Sequence, residues 1–393
     1  VWKQFDEWNS HDLVERLRER RHLSEDGHIH VGLAAAVSTE LNGPPLWLML
    51  IGVPSSGKTD MTDALRTLAF HVDDVTLAGL ISWSDRKKTC KGGILGKVGR
   101  RGFITIGDFS TVLAKSERGD HDDIFSALRR IYDGSYTREI HPKALEWEGR
   151  VTIIANCTAA IDRYSSYNAA LGDRWILYRL PKVDRPDKLS MQQKAILKYD
   201  KQWLDDVREL ATMVVTNAVA KARSIEVPTR ITNQVFNLVA VTALGRAAVP
   251  RSRFGNRDIE DLPIIEELPR LTQQIHMLAK CLFSLELGED HVASLVRRCA
   301  LDSMPAKRLA VLSVMTAAHR SGETLPVSEV ARRAGLHRHV ARMTLEDFEA
   351  IGLTTSDESD TIEEHNPKSR TARLWYLDGP DTDLVVSVMS GSR

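Results

Sequence analysis

The segment Gly52-Val53-Pro54-Ser55-Ser56-Gly57-Lys58-Thr59 holds the residue types needed to grip a chain of phosphates. Its glycines let backbone N–H groups converge on an anion with no Cβ in the way. Gly52, Pro54, Ser55, Ser56, Gly57, Lys58, Thr59 and Asp60 are therefore the expected nucleotide contacts. Lys58 would reach the β- and γ-phosphates of ATP, and the Thr59 hydroxyl would ligate Mg2+. Such a site needs an acid at a strand end to complete the magnesium shell. The stretch Gly102-Phe103-Ile104-Thr105-Ile106-Gly107-Asp108 provides one, so Thr59 and Asp108 are the expected metal residues.

These residues need a scaffold. The apolar run 46–51 follows Pro44-Pro45 and ends at Gly52, which predicts a buried parallel strand. A helix is expected over 59–70. Further strands are expected over 75–81, 103–106, 151–155 and 175–180, with helical patterns between several of them, notably 122–132. That alternation implies an α/β fold with a parallel sheet. Beyond Pro181 the pattern turns helical, over 189–223, 229–248 and 264–287. From about residue 303 it changes again. Helices are expected over 306–319, 328–334 and 338–350, the last two separated by the helix-stopping Gly335. Short strands at 353–355 and 373–377 would follow. Residues 1–40 read as a charged helical lead-in, with an amphipathic pattern over 12–21. The expected divisions are 1–40, 41–181, 182–302 and 303–393.

The bulk composition narrows the function classes. Across 393 residues, 27% are charged and the formal net charge is zero, so any nucleic-acid contact must come from local basic patches. No apolar run approaches the roughly 18 residues of a membrane span, and no secretory signal pattern opens the chain. Cys90, Cys157, Cys281 and Cys299 form no CxxC pair, which fits a reducing cytoplasm. The 13 histidines, including His28, His30, His337 and His339, read mostly as surface or turn residues.

With these residues in place, the stretch 46–180 resembles an AAA+ ATPase core. The loop at 52–59 and Asp108 are followed by Val151-Thr152-Ile153-Ile154-Ala155-Asn156, which looks like the strand ending in the polar sensor-1 residue, here Asn156. The resemblance implies that the segment 171–180 carries an arginine finger, Arg174 first and Arg179 second. It implies that 182–300 is a helical lid, with Arg270 as the sensor-2 arginine. The catalytic set it implies is Lys58, Asp108, Asn156, Arg174 and Arg270. A finger acting on a neighbour's γ-phosphate requires an oligomer, commonly a hexameric ring. The order of helix, extra hairpin and sensor-1 strand, from Tyr132 to Asn156, is similar to minichromosome-maintenance-type helicases and related ATPases of phages and mobile elements. In many ATPases a glutamate follows the magnesium acid, but here Phe109 does. Either hydrolysis is slow, or another carboxylate polarises water, or Asp108 does so itself.

The fold class implied is α/β: a P-loop AAA+ parallel-sheet core, an all-helical lid and a C-terminal module that resembles a winged helix. DNA is the expected partner. The contacts expected in the core are Lys87, Lys88, Lys91, Lys97, Arg100 and Arg101 in a glycine-rich basic segment, and Arg138 and Lys143 in the hairpin. In the terminal module they are Arg338, His339 and Arg342, at the start of the second helix of the pair. The acids Asp357, Glu358, Asp360, Glu363 and Glu364 in the expected wing oppose phosphate contact, so a module that recruits a partner protein is a second reading. The functions in view are an ATP-driven DNA motor or remodeller, an ATP-gated loading factor, and a transcriptional regulator built from the same parts.

Overall fold

The computed structural model describes residues 8–84, 89–115, 121–140, 143–164, 174–182, 185–196, 200–252, 257–358 and 373–391. Its chain divides into two compact units, one of residues 1–161, 174–235 and 270–299, the other of 162–173, 236–269 and 300–393. This groups the helices differently from the sequence boundaries at 181 and 302.

The first unit opens with α1 (Ser10–Arg18) and α2 (Gly27–Ser38). Asn9 starts α1 with a capping box: its side chain accepts from the Asp12 amide, and Asp12 accepts from the Asn9 amide. All twelve residues of α2 are buried, the signature of a helix that is core on every side. Helices α1 and α2 therefore contribute core to this unit. His28 and His30 are buried on α2, which corrects their reading as surface or turn residues.

Next come β1 (Trp47–Ile51), α3 (Lys58–Ala64), β2 (Phe70–Val72), α4 (Leu77–Leu80), β3 (Ser82–Ser84), β4 (Thr89–Gly92) and α5 (Gly93–Val98). They are followed by β5 (Arg101–Ile106), α6 (Ser110–Lys115), α7 (His121–Tyr132), β6 (Ser135–Ile140), β7 (Lys143–Glu148), β8 (Arg150–Cys157) and β9 (Ile176–Arg179). A five-stranded parallel sheet has the order β2-β5-β8-β1-β9. β1 is buried along its whole length, as expected of a strand covered on both faces. The strand expected over 75–81 does not form. Thr76 instead caps α4, accepting from the Gly79 amide, and Phe70–Val72 takes the edge of the sheet beside β5. The helix expected to run to residue 70 accordingly ends at Ala64. The hairpins β3–β4 and β6–β7 are antiparallel and stand outside the main sheet.

Then follow α8 (Arg185–Ala195), α9 (Lys201–Ala222), α10 (Thr229–Arg246), α11 (Leu268–Ser284) and α12 (Glu289–Asp302). The long helix expected over 189–223 is thus two, and α12 was not expected.

The second unit contains α13 (Ala306–Ser321), β10 (Leu325–Pro326), α14 (Val327–Ala334), α15 (Arg338–Ala350), β11 (Thr354–Glu358), β12 (Arg373–Leu377) and α16 (Thr382–Ser390). Its antiparallel sheet has the order β10-β12-β11. Gly335 adopts the left-handed conformation at φ 65°, which ends α14. A buried ionic cluster ties this unit together. Asp347 accepts from Arg308 Nη2 at 2.9 Å and from Arg251 Nε at 2.8 Å. Arg308 also donates to the carbonyls of Gly245 and Ala247, and Arg251 to that of Met343. Among the described residues, no helix is long and apolar enough to cross a membrane.

Removing Asp347 leaves Arg308, only 3% exposed, without its carboxylate, and leaves Arg251 with Glu346 alone, at 3.3 Å. Asp347→Ala is expected to destabilise the second unit by about 3–5 kcal/mol. Urea denaturation of the variant against the parent would measure it.

Candidate functional site

The glycine-rich loop at 52–57 leaves β1 and turns into α3. Gly57 stands at φ 93° and caps α3, and Ser55 also has a positive φ, 62°. A positive φ is uncommon for serine and marks a tightly determined loop. A Cβ on Gly52 would crowd Ser56 Oγ, which would have to turn aside. Lys58 Nζ donates to the carbonyls of Gly52 and Val53, both at 2.8 Å, and to Ser56 Oγ at 3.3 Å. Burial pushes its pKa down, while Cys157 and Asp108 act in the opposite direction.

Strand order positions the partners. β8 lies between β1 and β5, with Leu50 opposite Asn156 and Ile106 opposite Ala155. The ends of these three strands bring the loop, Asn156 and Asp108 to one edge of the sheet. Asn156 is 3% exposed; its Nδ2 donates to Thr62 Oγ1 at 3.3 Å, and its buried Oδ1 has no partner. Asp108 and Thr59 are exposed, and Asp108 Oδ1 accepts from the Ser110 amide at 2.8 Å. The Asp108 amide in turn donates to the Asp73 carbonyl, which places the end of β2 beside it. Phe109 points the other way. It is fully buried, with its ring 5.3 Å from Trp175 and 6.3 Å from Phe125.

The two arginines expected to act on phosphate lie elsewhere. Arg174 precedes β9, at the opposite edge of the sheet from the loop. It pairs with Asp133 at 3.1 Å and sits 5.9 Å from the Tyr132 ring. Arg270 is its neighbour. Burial first, and then Arg270, lower the pKa of Arg174, and both arginines act on Tyr132. The five residues of β1 separate that edge from the loop by about 16 Å. In this conformation neither Arg174 nor Arg270 can touch a phosphate held by its own chain's loop.

Several residues at the loop were not expected there. A cavity of about 440 Å3 beside Ser55 to Asp60 is also lined by Arg20, Arg21, His22, Gln192 and Lys194. Arg21 Nε pairs with Asp60 at 2.8 Å, and both Arg20 and Arg21 lie over the Trp203 ring. The Asp60 carboxylate is thereby held by protein rather than left for a ligand. On α2, His28 is 2% exposed with both ring nitrogens unpartnered, and its Nε2 faces Gly57. Burial pushes its pKa down to about 4. From α12, Arg298 reaches Glu25 at 2.8 Å and the Arg179 carbonyl at 2.6 Å, over the Tyr178 ring. It stands near the end of β9 that faces the loop, the placement expected of Arg270. The Arg20-Arg21 pair was visible as sequence, but only the folding of α1 and α2 onto α3 and α9 puts it beside the loop.

The expected nucleic-acid contacts are scattered. Lys87 and Lys88, and the side chains of Lys91 and Lys143, lie outside the described residues. Lys97 lies over the Phe70 ring at 5.5 Å. Arg100 is exposed. Arg101 donates to the Glu40 carbonyl and to Asn42 Oδ1. Arg138 donates to the carbonyls of Leu77 and Ile81, so its side chain lies against α4 rather than extending from the hairpin. In the second unit, Arg338 and His339 are exposed in the first turn of α15, and Arg342 pairs with Glu346 at 2.6 Å.

No protein-family model matches the chain, and no curated protein matches it. The geometry itself suits a polyphosphate with a divalent cation: a concave loop, a lysine, an exposed acid and a buried amide converge at one sheet edge.

The position after Asp108 tests this reading of Phe109. Phe109→Glu would place a carboxylate against Trp175 and Phe125 in the core. It is expected to cost about 3 kcal/mol or more in denaturant unfolding and to leave any phosphate-releasing activity no faster than the parent's.

Proposed function

We propose that the chain is an ATPase of the AAA+ type that acts on DNA as an oligomeric ring, similar to the helicase-like ATPases of phages and mobile elements. One observation carries this reading: the strand ending in Asn156 lies between the loop strand and the Asp108 strand. Lys58 and the loop amides would hold the β- and γ-phosphates. Thr59 and Asp108 would hold Mg2+, which would neutralise charge on the phosphates. Asn156 Oδ1, buried without a partner, is suited to accept a hydrogen bond from the attacking water. Arg174 would act on the site of a neighbouring subunit, because its own loop is out of reach. Arg298, rather than Arg270, is the candidate for a cis contact from the helices.

DNA enters this reading through the second unit. Its helices and three-stranded antiparallel sheet follow the element order of a winged helix, with exposed Arg338 and His339 at the start of α15, the recognition helix in this reading. A second reading, an ATP-gated loading factor that recruits a protein, is favoured by the buried Phe109: no carboxylate follows Asp108 to activate water.

Lys58→Ala is expected to abolish binding of a fluorescent ATP analogue. Asp108→Asn is expected to keep binding but slow phosphate release by about 100-fold or more. Retained hydrolysis in both variants would sink the ATPase reading. Arg338→Ala is expected to weaken DNA binding and to lower the slope of log K against log salt by about 1. ATP hydrolysis that DNA neither stimulates nor accompanies by binding at low salt would leave the loading factor as the better account.

A further inference from the structure

We infer that Asp26, His30 and His291 form a binding site for a transition-metal dication, Zn2+ by chemistry, which clamps α12 to the start of α2. It is independent of the ATP reading and shares no ligand with it.

One ligand atom from each of the three residues can be chosen so that all lie within 4.8 Å of one another. Asp26 and His30 are four residues apart, at the N-cap and in the first turns of α2, so helical geometry alone aligns them. His291 comes from α12, and its ring meets that of His30 edge to face at 5.2 Å. His30 Nε2 is 3.9 Å from Asp26 Oδ1. That is too long for a hydrogen bond. Two ligands sharing a tetrahedral zinc stand about 3.4 Å apart, so this pair must close by about half an ångström and the widest pair of the three by up to about 1.4 Å. His30 is 4% exposed, so its ring is already largely out of water where it meets Asp26 and His291.

The surroundings suit a ligand set. Arg18 Nη2 binds the other oxygen of Asp26 at 3.0 Å and so orients the carboxylate from outside, as second partners of metal ligands commonly do. Two imidazoles and one carboxylate favour zinc over the hard cations magnesium and calcium. With three protein ligands, water would complete the fourth position. Asp26 and His291 both reach the surface, which gives the ion a way in.

The clamp would have a mechanical effect. Asp26 adjoins Glu25, which holds Arg298 of the same helix α12. A metal at this point would fasten a second contact between α12 and the segment that opens α2, about two turns along α12 from Arg298.

The test uses the full chain, stripped with EDTA, dialysed and titrated with ZnCl2 by calorimetry. One saturable site with a dissociation constant of about 1 μM or below is expected, together with a rise in melting temperature. His291→Ala, at the surface and so compatible with folding, should weaken binding about tenfold or more and abolish that rise. Asp26→Asn should also weaken binding. Co2+ in place of zinc should give a visible absorption band that both variants lose. Absence of saturable zinc uptake by the parent, or the same affinity and Co2+ spectrum in parent and His291→Ala, would overturn the site.

Discussion

The pairing of β8 with both β1 and β5 is the constraint on which the first unit depends. Its parallel register is fixed by runs of buried residues, Trp47 to Ile51 on one side and Phe103 to Ile106 on the other. A slip of one residue would turn every side chain of β8 to the opposite face. Asn156 would then leave Thr62, and the backbone bond from the Phe109 amide to the Asn156 carbonyl would be lost. The same pairing sends Phe109 into the core while Asp108 stays at the surface. The proposed chemistry at this edge therefore rests on apolar packing several residues away.

Around this sheet, charged side chains are sorted by edge. At the loop edge stand Lys58, Arg21 and Arg298, each tied to carbonyls or a carboxylate. At the other edge stand Arg101, Arg150 and Arg174. Arg150 donates to the carbonyls of Thr39, Gly43 and Pro44, and burial pushes its pKa down to about 10. A guanidinium can satisfy several carbonyls at once because its donors form a rigid fork. Arginine at this edge thus holds the turn before β1 in place, and the loop after β1 inherits that fixed starting point.

The second unit solves a different problem. Its three-stranded sheet is small, and much of its order comes from the buried contacts of Arg251, Arg308 and Asp347. These fasten the segment that follows α10 to α13 and α15. Ionic clusters of this kind gain little over apolar packing, but they tolerate few alternatives once formed. Exposed Arg338 and His339 are left at the surface of a helix whose opposite face is fixed by Leu345 and Phe348.

The sequence by itself determined the glycine-rich loop after β1, the strands around it and the helix pair around Gly335. Each of these is a local pattern: glycines at fixed spacing, an apolar run, a helix stop. It also named Asp108 and Asn156, because both sit at the ends of apolar runs. It misplaced a strand at 75–81, where Thr76 caps a helix, and put His28 and His30 at the surface. Only the tertiary structure decided which cations stand at the loop. Arg21 and Arg298 reach that edge by the packing of distant helices, and Arg270 is carried to the other edge by the direction in which β9 and α11 run. The loop is encoded in eight consecutive residues, whereas its surroundings come from elements nearly three hundred residues apart, whose meeting no local spacing can reveal.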